Sequence, residues 1–328
     1  MGARTSLYSQ RLFSAAILLV SVAAAIYCPI SIDAAPSVKR SRLHRLTSAF
    51  ASYGADNHLL VIGSSGGGFT LWDDRTHDEG RELAPGSFWG YGFALSKDGV
   101  RFYYPGSRGL LECYDLKAKN PVSTGLERNA KCNVVAVDHE NRYLATGTMG
   151  AIELWRLDGG VFHRRLMAQP VCGVVSLDFS PDNRFLDTSS IPPPDEETVG
   201  GVALWRLSDG VKLFETKRGA WAVAFAANGK ELISRSDDQV VSSLDVDTGH
   251  VIWSRQGRDA SAMSISEASG TMAIGTKDGW VELWDQPHHR RLQRLRASEA
   301  TIVAVAIDGS GSQISCVDSE EQVTRWRF

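Results

Sequence analysis

The chain has 328 residues, of which 43% are hydrophobic and 22% charged, with a formal net charge of −3. This composition excludes a disordered chain, and the near-neutral balance gives no electrostatic reason to expect a nucleic-acid partner. Length alone suggests about two domains, but the repeats described next are expected to close into one.

The first predicted element is apolar. Positions 12–32 carry no charged side chain and follow a leader containing Arg4 and Arg11. A positive leader, an apolar core and small residues near Ala23, Ala25 and Ala34 follow the order of a secretory signal peptide. An uncharged run of about 20 residues is also long enough to remain as a membrane anchor. Residues 1–36 are therefore expected to be a helical targeting segment, cleaved or retained, that sends the rest of the chain to the periplasm or the extracellular side. Lys39, Arg40, Arg42 and Arg45 pull the other way, since four positive charges after the segment against two before it favour the cytoplasmic face of the membrane. A lipoprotein signal at Cys28 fits less well because bulky Tyr27 precedes it, and the match of residues 1–6 to a myristoylation pattern is short.

From residue 37 onward the chain repeats. Trp72, Tyr114, Trp155, Trp205, Leu244, Trp284 and Trp326 mark equivalent positions, separated by steps of 42, 41, 50, 39, 40 and 42 residues. The period of about 40 to 45 residues is that of four-stranded propeller blades. The fifth unit shows the pattern in full. Residues 221–226 alternate as a half-buried strand, Asn228-Gly229 turns the chain, 231–234 form a second strand, and Asp237 and Asp238 turn it again. A third strand follows at 240–246, then an Asp247-Thr248-Gly249 turn and a fourth strand at 250–253. On this frame the inner strands are 48–51, 91–95, 134–138, 174–179, 221–225, 262–266 and 302–307. Their small and β-branched residues suit a crowded central axis. The prediction is an all-β, seven-bladed propeller of four-stranded antiparallel blades over residues 37–328, expected to be monomeric.

The seventh unit has three strands of its own, ending at Trp326. Residues 37–45 precede the first inner strand and resemble the outer strand of blade six at 290–296, so they are expected to pair in the last blade and close the ring.

Local motifs taken in chain order mostly have bland readings. Gly63-Ser64-Ser65-Gly66-Gly67-Gly68 lacks the Lys and Ser/Thr of a phosphate-binding loop and no helix follows, so it reads as a turn between second and third strands. Asp138-His139-Glu140 reads as a surface turn after an inner strand, and His288-His289 lack the spaced partners of a zinc site. Cys132 and Cys172 start neighbouring inner strands. They read as buried or lining thiols, with a disulfide as the alternative if the blades approach closely enough. The fifty-residue step contains one insertion, 189–200, with Pro192-Pro193-Pro194 followed by Asp195, Glu196 and Glu197. It is expected to be stiff with an anionic tip, and to be either a tolerated surface loop or a partner contact.

Phe179-Ser180-Pro181-Asp182-Asn183, Leu154-Trp155-Arg156-Leu157-Asp158-Gly159 and the stretch from Gly275 through Asp278-Gly279 to Trp284-Asp285 resemble the repeat phrases of WD-repeat β-propellers. The resemblance covers residues 37–328 and implies a rigid platform for protein partners, with no shared chemistry. The Gly-His pair before the inner strand is absent, so the buried Asp-His-Ser-Trp network of typical members cannot be carried over. A YVTN-like or quinoprotein-like propeller is the neighbouring alternative.

The resemblance also implies that the insertion shares a face with the links between blades. Trp89, Tyr91, Trp221 and Trp280 are expected near that face and, with Pro193, Asp195, Glu196 and Glu197, are the candidate partner-binding residues. Lys39, Arg40 and Arg42 with Arg290, Arg291 and Arg294 are expected to form a basic flank, which either touches anionic head groups or prevents edge pairing between molecules. No catalytic constellation, metal site or cofactor is expected. The functional reading is a non-catalytic platform for protein partners outside the cytoplasm. The alternative is a lactonase-like or quinoprotein-like enzyme or ligand sensor with a central-channel site, set second because the channel strands read as mainly Ala, Val, Ser and aromatic.

Overall fold

The computed structural model describes residues 36–328 apart from 43–48, 54–57, 65–67, 74–80, 84–89, 107, 127–129, 168–172, 192–199, 237 and 258. The expected targeting helix at 1–35 lies outside the described residues. The described residues form seven four-stranded antiparallel sheets and no helix. In six of them the strands follow chain order from the inside out, as in blade five with Ala220–Phe225, Glu231–Ser236, Val241–Asp245 and Val251–Ser254. The seventh is completed by Ser37–Arg42, which pairs antiparallel with Gln322–Arg327 from Ser37 opposite Arg327 to Arg42 opposite Gln322. The expected closure of the ring by the first strand is therefore what the chain does.

The inner strands are Ala49–Tyr53, Ala94–Leu95, Val134–Val137, Gly173–Phe179, Ala220–Phe225, Ala260–Ser266 and Ile302–Ile307. Blade two departs from expectation, since pairing begins at Ala94 rather than at residue 91. The Tyr91 N–H donates instead to the Asn133 carbonyl of blade three at 2.7 Å. A Cβ on Gly90 would lie 2.6 Å from that same oxygen, so this close approach requires glycine. The turn after each inner strand is built alike in several blades. Asp138 Oδ1 accepts from the Arg142 and Tyr143 N–H groups, and Ser180 Oγ accepts from those of Arg184 and Phe185. Asn141 and Asn183 take positive φ one residue before those donors begin, a conformation asparagine tolerates.

Each blade is a thin sheet with two faces to cover, and the seven apolar clusters lie between blades. The marker residue of each unit packs against the preceding blade. Trp155 joins Tyr103 and Cys113 of blade two, Trp205 joins Val134 and Leu154 of blade three, and Trp326 joins Ala262 and Leu283 of blade six. Trp72 packs on Ala304, Val317 and Val323 of blade seven, so the first blade meets the last through the same contact. In blades three to six the register between third and fourth strands shifts at the marker, as at Leu154/Trp155. Such a bulge re-aims the side chain and adds twist. Part of the missing tryptophan network is replaced locally, because Trp155 Nε1 donates to Thr146 Oγ1 at 3.3 Å and Trp205 Nε1 to Thr188 Oγ1 at 3.2 Å.

Between blades five and six the apolar contact is joined by a buried ion pair. Arg255 Nε donates to Glu282 Oε2 at 2.9 Å and Arg255 Nη1 to Asp259 at 2.7 Å. Glu282 also accepts from Trp284 Nε1 at 3.1 Å and Arg291 Nη1 at 3.1 Å. Burial opposes ionisation of Glu282, but Arg255 overrides it and holds the carboxyl below the usual range.

Two outcomes test this architecture. Deleting residues 37–42 is expected to lower the thermal midpoint by on the order of 10 °C, since an open blade loses several kcal/mol; an unchanged melting curve would show that the ring does not depend on the strand. Arg255→Met, which leaves the buried Glu282 carboxylate with the more exposed Arg291 as its main counter-charge, is expected to cost on the order of 2 kcal/mol in chemical denaturation.

Candidate functional site

The inner strands enclose a channel of ≈ 610 Å³ lined by all seven blades. An inner strand pairs along one edge only, so its other row of backbone groups needs partners from elsewhere. Neighbouring blades supply some of them. Ser176 Oγ meets the Val223 carbonyl and N–H at 3.2 and 3.3 Å, Asp178 Oδ2 accepts from the Phe225 N–H at 3.0 Å, and Ser264 Oγ accepts from the Ile307 N–H at 3.3 Å. Small and hydroxyl-bearing residues are thus set around the axis by crowding and by hydrogen bonding together.

The two ends of the channel differ. At the starts of the inner strands Tyr91 of blade two and Trp221 of blade five reach across the mouth, with ring centroids 6.5 Å apart at 61°. They stay 40% and 43% exposed, unlike the buried marker residues. Met149, 57% exposed, lies in a turn between second and third strands, which a meander places at this same end. The described borders of the blade-four insertion, Ile191 at the end of the second strand and Gly200 before the third, also lie at this end.

Trp280 opens the third strand of blade six at this same end but does not join the aromatic pair. Trp280 is covered by arginines, with the guanidinium carbons of Arg294 and Arg296 at 4.5 and 5.0 Å from its ring, and it does not line the channel. Trp89, Pro193, Asp195, Glu196 and Glu197 lie outside the described residues, as does Cys172. Cys132 is a buried free thiol, pushed up to about 12 by burial. On the rim, Lys39 and Arg40 are exposed on the closing strand, and nothing is described of the Arg42 side chain. Arg290, Arg291 and Arg294 each meet a carboxylate of their own blade, respectively Asp285 at 3.4 Å, Glu282 at 3.1 Å and Asp278 at 3.0 Å. The positive charge expected of the blade-six strand is therefore largely matched within its own sheet.

At the opposite end the structure corrects two sequence expectations. Asp138-His139-Glu140 forms the expected turn, but Asp138 is wholly buried and His139 turns inward. His139 Nε2 lies 3.3 Å from the Phe179 carbonyl, and Nδ1 lies 3.6 Å from Glu267 Oε2 of blade six. The channel is also not confined to small and aromatic residues, because Lys97, Asp178 and Glu267 line it. Behind Asp178 stands Asp187, its partner on the second strand, wholly buried with no hydrogen bond of normal geometry to either carboxyl oxygen. Burial first, then the negative charge of Asp178, raises Asp187 well above the carboxylate range. Burial likewise raises Asp178 and Glu267, with Lys97 opposing both shifts, and holds His139 below its usual value. The polar run Asp187-Thr188-Ser189-Ser190 inside a second strand was the available sequence signal. The reach of Glu267 and His139 across the axis had none.

No protein-family model matches the chain. Among curated proteins it is similar to apoptotic protease-activating factor 1 of Homo sapiens, 19% identical over 288 residues that cover 87% of this chain and 22% of that protein. It is also similar to WD repeat-containing protein JIP5 of Malassezia globosa, 35% identical over 94 residues, or 28% of this chain and 22% of the relative. Transcription initiation factor TFIID subunit 5 of Caenorhabditis elegans matches at 24% over 157 residues, 47% of this chain and 23% of that subunit. The chain thus spans less than a quarter of the length of each of these relatives. The chain is thus a seven-bladed β-propeller, each blade stapled to its predecessor by the residue that ends the repeat phrase, and it is similar at low identity to WD-repeat proteins.

Proposed function

We propose that this chain is a non-catalytic platform that presents the Tyr91–Trp221 end of its propeller to protein partners outside the cytoplasm. The observation that carries this reading is the aromatic pair itself. Two large rings from different blades stay about two-fifths exposed at one mouth, whereas six of the seven marker residues are buried. Aromatic side chains on a rigid base give up little conformational freedom on binding and serve well as interface anchors. Met149 adds an adaptable apolar contact at the same end. The proline-rich, acidic insertion at 192–199 is the natural source of specificity there, since rims of interfaces are polar. The WD-repeat relatives support a protein-binding role, and one of them is by name a subunit of a larger assembly. On the outer rim, the charged strands of blades six and seven serve to discourage pairing with another molecule's edge. The placement outside the cytoplasm rests on the leader, apolar core and small-residue tail of residues 1–36, with the cytoplasmic face of the membrane as the alternative.

A channel-sited enzyme or ligand sensor is the second reading. It gains from the convergence of His139, Asp178 and Glu267, although among the described residues no three His, Cys, Asp or Glu side chains are arranged to hold a metal ion.

The platform reading is tested by crosslinking and affinity purification from the native source with wild-type chain and with Tyr91→Ser/Trp221→Asp. Both positions are exposed, so the variant is expected to keep the wild-type melting curve and lose the partners whose crosslinks map to this mouth. Retention of every such partner would overturn the assignment. For export, residues 1–36 fused to alkaline phosphatase are expected to give an active reporter, and an inactive one would place the propeller in the cytoplasm.

A further inference from the structure

Five ionisable side chains from four blades meet at the channel end away from Tyr91 and Trp221. The inner strands run in the same direction around the axis, and the longer ones, Gly173–Phe179 and Ala260–Ser266, span about 20 Å at about 3.3 Å per residue. Lys97 follows the inner strand of blade two, His139 that of blade three and Glu267 that of blade six, while Asp178 and its cross-strand partner Asp187 belong to blade four. Nothing in the partner-binding reading uses them.

The charges do not balance. Three carboxylates face one ammonium, Lys97, and an imidazole whose protonation burial and Lys97 both disfavour. Fully ionised, with neutral histidine, the group would carry two negative charges uncompensated at this end, the Arg235 guanidinium lining the same channel from beside Ala222 toward the aromatic end. Asp138 stands behind His139, but its carboxyl closes its own turn. Asp187 is the least satisfied of the group, met only by the Asp178 N–H outside normal geometry. It is 0% exposed, it lies directly behind channel-lining Asp178, and both its oxygens are without a normal hydrogen bond. Buried carboxyls in folded proteins nearly always have one.

The channel volume of ≈ 610 Å³ falls within the range of small-molecule sites. The carboxylates are not gathered closely enough for a metal ion, since no metal-holding group of three is present among the described residues. A cation with several N–H donors spread over a short chain fits the spacing better, because each ammonium donates up to three charge-assisted bonds. We propose that this end of the channel is a binding site for a small organic cation bearing primary ammonium groups, held by Asp178 and Glu267, with Asp187 adding charge from behind.

The site has a proton signature. Burial lifts Asp178 to about 6, while burial and then the charge of Asp178 lift Glu267 to about 8 and raise Asp187 well above its ordinary value. A bound diammonium favours the ionised forms, so binding releases protons and strengthens as pH rises. The empty protein behaves in the converse way. Its raised carboxyls keep protons that the unfolded chain gives up, so their contribution to stability is complete below the ordinary carboxylate range and is lost as pH rises through the shifted values. A bound cation offsets that loss.

Putrescine titrated calorimetrically into the full chain tests the proposal. Saturable binding with proton release, read from two buffers of unlike ionisation enthalpy, is expected to tighten at least about tenfold between about pH 5.5 and about pH 8. Putrescine should also raise the thermal midpoint more at the higher pH. Asp187→Asn/Glu267→Gln, which is near-isosteric, should weaken binding by about tenfold or more. No binding at the higher pH, an affinity independent of pH, or calcium alone giving the same saturable heat would each overturn it, and all three are read on wild-type protein.

Discussion

The structure depends on the contact between each blade and the one before it. A four-stranded sheet this small has two faces and cannot bury either by itself, so every blade leans on two neighbours and the row has no stable end. Trp72 resolves this by packing on blade seven as the other markers pack on their predecessors. The pairing of Ser37–Arg42 with Gln322–Arg327 then holds the joint by backbone hydrogen bonds, because blade seven is built from the first and last strands. Repetition and closure are one requirement: equal blades need equal contacts, and equal contacts around a circle leave no exposed face.

That arrangement also shapes the channel. Seven inner strands converge, so side chains near the axis must be small, and each strand keeps one row of backbone groups without a strand partner. Ser176, Asp178 and Ser264 serve both needs, filling little space while bonding to the next blade's backbone. Asp178 differs from the serines because it brings an ionisable group onto the half-buried wall of the channel. Once there, it acts on Asp187 behind it and on Glu267 across the channel, and the shifts of all three follow from that geometry. The ionisable end and the aromatic end arise from one scaffold through substitutions at strand termini, where the tight middle of the strand imposes least.

The comparison of sequence with structure turns on distance along the chain. Blade count, strand order within blades and the closing strand were legible because they rest on period-two alternation, turn residues and a repeat of about 40 residues. Tyr91 and Trp221 were legible as candidates, since both open inner strands that the repeat frame had placed. Their meeting across the mouth was not, as they are 130 residues apart and belong to blades two and five. The blade-two inner strand was read too long because Tyr91 spends its N–H on blade three, a bond with no local trace.

By itself the sequence determined a ring of seven antiparallel meanders and its closure, because both follow from patterns repeated within a blade. Only the tertiary structure decided that Arg290, Arg291 and Arg294 are matched by carboxylates. It alone brought His139 from a turn expected at the surface to Glu267, and set Lys97, Asp178 and Asp187 beside them. The physical reason is that charge and burial depend on what other blades place nearby. A ring brings together residues that the chain keeps more than a hundred positions apart.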